Sequence, residues 1–220
     1  MVDVLERGDI SFFFRPRVQP ADAPLTASVT DPGVQSFFLV LSTAHGLHRR
    51  VRVGRKRMPV AAGERLWARV ERVGTLQRVL AGVLEAEEYA TKTRGERYQP
   101  GARPIGQGAY ALVRHDDHIH LAYRLDVLEP DVPDEARVPD SGNDIVLFER
   151  VPRERAVWTT EGEPDRLDEE GAEIVIVGVA GEPGHELDDD VLAAPGRKAE
   201  ASDDERVTAL RAASLRPSRR

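Results

Sequence analysis

From Asp9 to Val18 the chain reads D-I-S-F-F-F-R-P-R-V, and a period of two sets Ile10, Phe12 and Phe14 on one strand face, with Pro16 marking an edge or exit. After a Pro/Ala/Asp linker, Phe37 to Leu41 is a continuous apolar run, F-F-L-V-L, of the kind carried by a strand buried on both faces. A turn at Thr43 to Gly46 leads into Leu47 to Val53, where Leu47, Arg49, Val51 and Val53 face one way and His48, Arg50 and Arg52 the other. Gly54 ends that strand. Leu66 to Val73, L-W-A-R-V-E-R-V, fits a fourth strand whose apolar residues alternate imperfectly.

The period changes at Leu76. Leu76, Val79, Leu80, Val83 and Leu84 fall at helical spacing, which predicts a helix over 76–88, capped by Thr75 and covering a sheet face. Thr91 to Gly108 reads as a loop rich in Gly, Pro and Arg. Ala109 to Arg114 and His118 to Leu125 then read as a hairpin turning at Asp116 and Asp117, with Tyr110, Leu112, Ile119, Leu121, Tyr123 and Leu125 inward. Pro130, Pro133 and Pro139 among acids give residues 129–142 the composition of a linker-like insertion. Beyond it, Ile145 to Glu149 and Ile174 to Val179 are too short to bury a core alone and are expected to join the first sheet. Gly8 to Arg17 faintly echoes Asn143 to Arg153, but the echo is shorter than a structural repeat and chance explains it.

These segments predict an α+β protein: one domain over residues 1–180 with a mainly antiparallel β-sheet and one covering helix. Residues 181–220 are rich in Gly, Pro, Ala and Asp and read as an acidic, mostly disordered tail, in which Ser202 to Glu205 can cap a short helix over 203–215.

Composition narrows the chemistry. The absence of cysteine excludes disulfides, thiolate nucleophiles and cysteine-ligated metal sites on this chain. The N-terminal residues are acidic where a signal peptide needs a basic region and an apolar run, and no stretch approaches a membrane span, so a cytoplasmic protein without a membrane partner is expected. The formal charge of -7 hides an asymmetry. Residues 1–128 carry 19 Lys and Arg against 14 Asp and Glu, whereas residues 129–220 carry 12 against 24. An acidic segment beside a basic body can mask a surface, repel anions or keep the chain soluble, and solubility needs the fewest assumptions.

Catalytic signatures are incomplete. Gly101 to Gly108 has the glycine frame of a phosphate loop, but Gln107 and Gly108 stand where Lys and Ser/Thr are needed. His185-Glu186 opens like a zinc-protease motif, yet Asp189 occupies the place of the second histidine, and no G-x-S-x-G elbow occurs. His115, His118 and His120 form the most metal-like segment, since two histidines two apart in a strand can share an ion with Asp116; a solvated hairpin explains the same residues. No cofactor is implied.

Basic residues give the best functional lead. His48 to Arg57, H-R-R-V-R-V-G-R-K-R, holds six basic side chains in ten positions, and Thr91 to Arg97, T-K-T-R-G-E-R, offers more. If their strands are neighbours, Arg15, Arg17, Arg50, Arg52, Arg55, Lys56, Arg57, Lys92, Arg94 and Arg97 make one anion-binding face for nucleic acid or a phosphate-bearing ligand. A solvated basic edge that discourages strand-to-strand aggregation accounts for the same pattern.

The runs Glu6 to Val18, Val53 to Arg57, Glu87 to Arg97, Tyr110 to His115 and Glu170 to Glu173 together resemble a family of bacterial proteins without an assigned activity, fold or ligand. The resemblance covers about residues 5–180 and implies one folding unit. The expected function is a non-enzymatic binding or regulatory module with a basic face for an anionic partner. One alternative is an enzyme of unfamiliar type, with His115, His118, Glu96 and neighbouring arginines lining a pocket around residues 91–120. Another is a structural protein with a protein partner and no small ligand.

Overall fold

In the computed structural model the described residues are 3–21, 33–115, 118–149, 158–159 and 164–179. Four strands form one antiparallel meander: β1 (Asp3–Pro16), β3 (Val34–Thr43), β4 (His48–Val53) and β5 (Arg65–Gly74). A second meander is built from β8 (Arg103–His115), β9 (His118–Leu128), β10 (Ser141–Glu149) and β12 (Glu173–Val177). The first strands of the two meanders pair, β1 with β8, and so do the last, β5 with β12. The result is a closed eight-stranded antiparallel barrel. Closure leaves these strands no free edge. A two-residue strand, β11 (Trp158–Thr159), adds to β10, and β2 (Gln19–Pro20), β7 (Gly95–Gln99) and β6 (Glu87–Thr91) form a small separate sheet.

Alternation then decides what fills the barrel. Ile10, Phe12 and Phe14 of β1, Phe37, Leu39 and Leu41 of β3, Val51 and Val53 of β4, and Tyr110, Tyr123 and Ile176 from other strands are all buried in one cluster. Eight strands enclose a space that side chains can fill, and burying each large apolar side chain contributes about 1.5–3 kcal/mol. β8 and β9 approach so closely around a bulge that a Cβ on Gly108 would sit 2.0 Å from the Arg124 carbonyl oxygen. Short 3-10 turns stop the two mouths. Residues 129–140 cross one end, burying Val132, Ala136 and Val138, and the turn Asp134–Ala136 is fastened by a hydrogen bond from the Val34 N–H to the Glu135 carboxylate. At the other end Leu167 of the turn Pro164–Asp168 joins the core.

A polar cluster closes that second mouth from within. Arg49, inward beside Val51 and Val53 and 2% exposed, donates to both Glu6 carboxylate oxygens at 2.6 and 2.9 Å and to Asp168 Oδ1 at 2.6 Å. The Tyr110 hydroxyl donates to Glu6 at 2.7 Å. Burial opposes the Arg49 charge, but the hydrogen bonds to Glu6 and Asp168 outweigh it and raise its pKa. Burial and the neighbouring Glu6 push the Tyr110 hydroxyl well up, so it remains a donor.

The expected α+β class is corrected by this architecture, which is a closed β-barrel with very little helix rather than a sheet under a covering helix. The helix predicted over 76–88 is only α1 (Leu76–Leu80). Thr75 caps it as expected, accepting from the Arg78 N–H at 3.3 Å, but Ala81 leaves helical geometry and Gly82 takes φ +70. Residues 87–91 become β6. The apolar positions that suggested a longer helix are nevertheless used: Leu76, Val79, Leu80, Val83 and Leu84 pack with Phe13, Phe38 and Val40 on the barrel's outer surface. The stretch expected to be a loop over 91–108 instead contains β7 and the start of β8. The hairpin tip Asp116-Asp117, the tail 181–220 and its helix 203–215 lie outside the described residues.

The two-half connectivity also disposes of the sequence echo. It links β1, the first strand of one meander, to β10, the third of the other. Those positions do not correspond, and residues 150–153 of the echo lie outside the described residues.

Candidate anion-binding face

Basic residues of β4 and β5 meet on the outside of the barrel because their inward neighbours are apolar. Arg50 stands opposite Arg72 and Arg52 opposite Arg69, an arrangement of facing like charges that costs stability unless acids intervene. A register shift supplies one: between Arg50/Arg72 and Val51/Val70 the extra residue is Glu71, and the bulge carries its carboxylate to 3.1 Å from Arg50 Nε and 3.0 Å from Arg52 Nη1. The Arg50 Nε contact is poorly aligned for a hydrogen bond and acts through charge.

Several predicted ligands for an anion are held inside the molecule. Arg50 is 6% exposed, lies 5.8 Å from the Phe38 ring centroid, and donates to the Val79 carbonyl at 2.7 Å, satisfying the end of α1. Arg15 donates to the carbonyls of Pro100, Gly82 and Glu85 at 3.0, 3.4 and 3.2 Å, bracing the chain that follows α1. Burial lowers the pKa of both arginines from the usual value. Lys56, at φ +64, donates to the Val34 carbonyl at 2.6 Å. Arg57 grips Glu64 through two bonds of 2.6 and 2.9 Å, and that hydrogen bonding brings the Glu64 carboxyl down to about 2. Arg17 is exposed, 4.0 Å from Glu135.

The remaining candidates fall into two groups. Lys92 and Arg94 are exposed at the tip of the β6–β7 hairpin, and half-buried Arg97 stands opposite Tyr89. They have no ion-pair partner among the described residues. Arg52 and Arg55 belong to a different neighbourhood, next to a residue the alternation pattern obscured: Trp67. Leu66, Ala68 and Val70 point into the barrel, so Arg65, Trp67 and Arg69 point out. Trp67 is 54% exposed.

Its neighbours on the two flanking strands are small. On the β4 side the neighbour is Gly54, whose N–H donates to the Trp67 carbonyl at 2.8 Å and which has no side chain to cover the ring. On the other side is the small, buried Val175. Arg65 and Arg69 flank the ring along β5, while Arg52 and Arg55 approach from β4 and its turn. Arg65 and Arg69 have no ion-pair partner among the described residues. Nearby acids are Glu71, Glu64 and Glu173, of which the first two are engaged with Arg50, Arg52 and Arg57.

The histidines are elsewhere. His118 and His120 share the outward side of β9 with ring centroids 4.9 Å apart, and His120 Nδ1 lies 2.9 Å from Asn143 Oδ1. The His115 side chain and Asp116 lie outside the described residues. No group of three or more His, Asp or Glu side chains fit to hold a metal occurs among the described residues. Glu96 and His118 are not brought together. β1 runs from Asp3, opposite Arg114 beside the histidine hairpin, to Pro16, whose carbonyl accepts from Gln99 near Glu96. Thirteen steps of extended chain separate those ends by roughly 40 Å, so no single pocket holds both residues.

Comparison with family models, with curated proteins and with solved structures found no match to this chain. Among the described residues no helix is long and apolar enough to cross a membrane.

Proposed function

We propose that this chain is a non-enzymatic binding module whose outer barrel face, centred on Trp67 and edged by Arg52, Arg55, Arg65 and Arg69, takes an anionic partner, a nucleic acid. The observation that carries the reading is the 54% exposure of an indole in register with arginines on a strand whose other face is core. Guanidinium groups beside an exposed aromatic match phosphate chemistry. The filled barrel interior favours this surface over an internal small-molecule site. Outward arginines across β4 and β5 also argue against a lipid-facing barrel, which needs an apolar outer band.

The test is a salt series with a fluorescently labelled oligonucleotide. Four arginines on phosphates give a log–log salt slope of about -3, at 0.7–0.9 per contact. The double variant Arg65→Gln/Arg69→Gln brings the slope to about -1.5, whereas Lys56→Gln, whose amine is already held by Val34, leaves it unchanged. Absence of binding at about 50 mM salt rejects the reading.

A further inference from the structure

We infer that the outer face of β8 and β9 is the seat of this chain's own C-terminal segment, residues 203–215, held there through Val207, Leu210 and Leu215. Leu112, Leu121 and Tyr123 point into the barrel, so Ala111, Val113, His120 and Ala122 point out. These outward residues are nevertheless closed off: Ala111, Val113 and Ala122 are 0% exposed, and the much larger His120 only 5%. Strand neighbours alone do not produce this, since on the open side of β5 the outward Arg65 and Arg69 are exposed. Among the described residues the one further hydrophobic packed against Ala111, Val113 and Ala122 is Val4, which belongs to the same sheet face. Arg7, Asp9 and Arg124 around them each have an interaction partner. A further stretch of chain therefore lies across this face.

Chain length decides which stretch it is. Residues 22–32 hang between Ala21 and Gly33, and Gly33 is bonded to Arg17, ten residues from Arg7, the partner of Ala111. That distance is about 33 Å, whereas a segment of this length tied at both ends folds back over about 20 Å. Residues 150–157 close on the Glu149–Trp158 pair and reach back about 15 Å; Ala122, opposite Asn143, lies about 20 Å along β10. Residues 1–2, 116–117 and 160–163 are shorter still. The C-terminal residues reach easily. Val177 stands opposite Ile145 and Ile145 opposite His120, so the chain leaves β12 two strands, about 10 Å, from β9, and residues 180–202 can span up to about 75 Å. Within 180–220 the apolar group Val191 to Ala194 is cut off by Pro195, whereas Val207, Leu210 and Leu215 fall at helical spacing behind the cap Ser202 to Glu205. So thin a stripe needs burial against another element, and Ala111 and Ala122 let it approach closely. Asp203, Asp204, Arg206 and Arg211 bring both signs of charge to Arg7, Asp9 and Arg124. In the closed strand order this seat is on the opposite side of the barrel from β4 and β5, so the docked segment leaves the arginine face uncovered. The inference is independent of the anion-binding reading.

The chain has no cysteine, so Thr208→Cys in the full chain carries a single nitroxide label beside the stripe. The expected result is paramagnetic broadening of the NMR amide signals of residues 111–113 and 120–122 at every protein concentration, with those of residues 65–69 unaffected. Adding Leu210→Asp abolishes the broadening, and His120 gains reactivity toward diethyl pyrocarbonate, measured by mass spectrometry against the exposed His45. Leu210→Met keeps both the broadening and the protection of His120. Broadening that is absent or centred elsewhere overturns the inference, as does a His120 that stays protected in Leu210→Asp. Spin-labelled chains are also mixed with isotope-labelled chains that carry no nitroxide; broadening found only between such chains assigns the seat to a second copy and likewise overturns the inference.

Discussion

Asp144 is a carboxylate inside the barrel, and replacing it with asparagine makes the protein more stable at alkaline pH. It follows Gly142 and precedes Val146 and Phe148 on the inward side of β10, pairs across the sheet with Leu121, and is 8% exposed. Burial alone raises its pKa to about 7, and its charge helps to push the hydroxyl of neighbouring Tyr123 upward after burial itself. In the unfolded chain the same group titrates near 3.9. The folded state therefore holds a proton that the unfolded state releases, so the stability is fully present below about pH 4 and is lost as pH rises through about 7. Three pKa units correspond to about 4 kcal/mol in total, of which about 2.5 kcal/mol falls between pH 5 and pH 8.5. Asparagine keeps the shape and does not titrate. Urea denaturation at these two pH values measures the effect: the wild type loses about 2.5 kcal/mol more than Asp144→Asn across the interval. Parallel losses in the two proteins would refute a buried, proton-holding Asp144.

Two further outcomes follow from the ion pairs. Arg49→Met leaves Glu6 in the barrel mouth without its counter-charge and costs about 3–5 kcal/mol in urea denaturation; Glu6→Leu/Arg49→Met costs much less than the two single changes combined, and additive losses would contradict the coupling. In Arg57→Gln the Glu64 carboxyl, now at about 2, rises toward the ordinary carboxylate range, as an NMR pH titration would register, while the Val60 N–H still holds it below that range; because its folded pKa is depressed, the wild-type contribution is present above the unfolded pKa and disappears as pH falls through about 2.

The barrel strands of the first meander are legible because β4 alternates over a one-sided core, with Arg49 on the side of Val51 and Val53, while β3 is apolar on both faces under the segment that follows β5. Closure was not legible. It depends on β1 meeting β8 and β5 meeting β12, pairings between residues about a hundred positions apart that leave no local trace. The short helix misled for a different reason: its apolar positions at 3.6 spacing all reach one cluster, but Gly82 lets a turn and an extended segment deliver Val83 and Leu84 there. At the candidate face, arginine density pointed to the right strand and to several wrong side chains. Arg50 is buried against the carbonyl end of α1, and half-buried Arg15 is spent on the carbonyls of the chain that follows it, which no linear pattern announces. Trp67 had a readable signal. The imperfect alternation of L-W-A-R-V-E-R-V is an aromatic standing in the register of outward arginines, followed by the extra residue Glu71 of a bulge.

The most direct test of the central claim is an NMR titration of the full chain with a short single-stranded oligonucleotide, following the Trp67 indole N–H and the backbone amides. Binding at the proposed face shifts the indole and the amides of residues 52–55 and 65–69, while His118 to His120 on β9 stay in place. Shifts confined to the Lys92–Arg97 hairpin or to the histidines, with an unmoved Trp67 indole, would contradict the account.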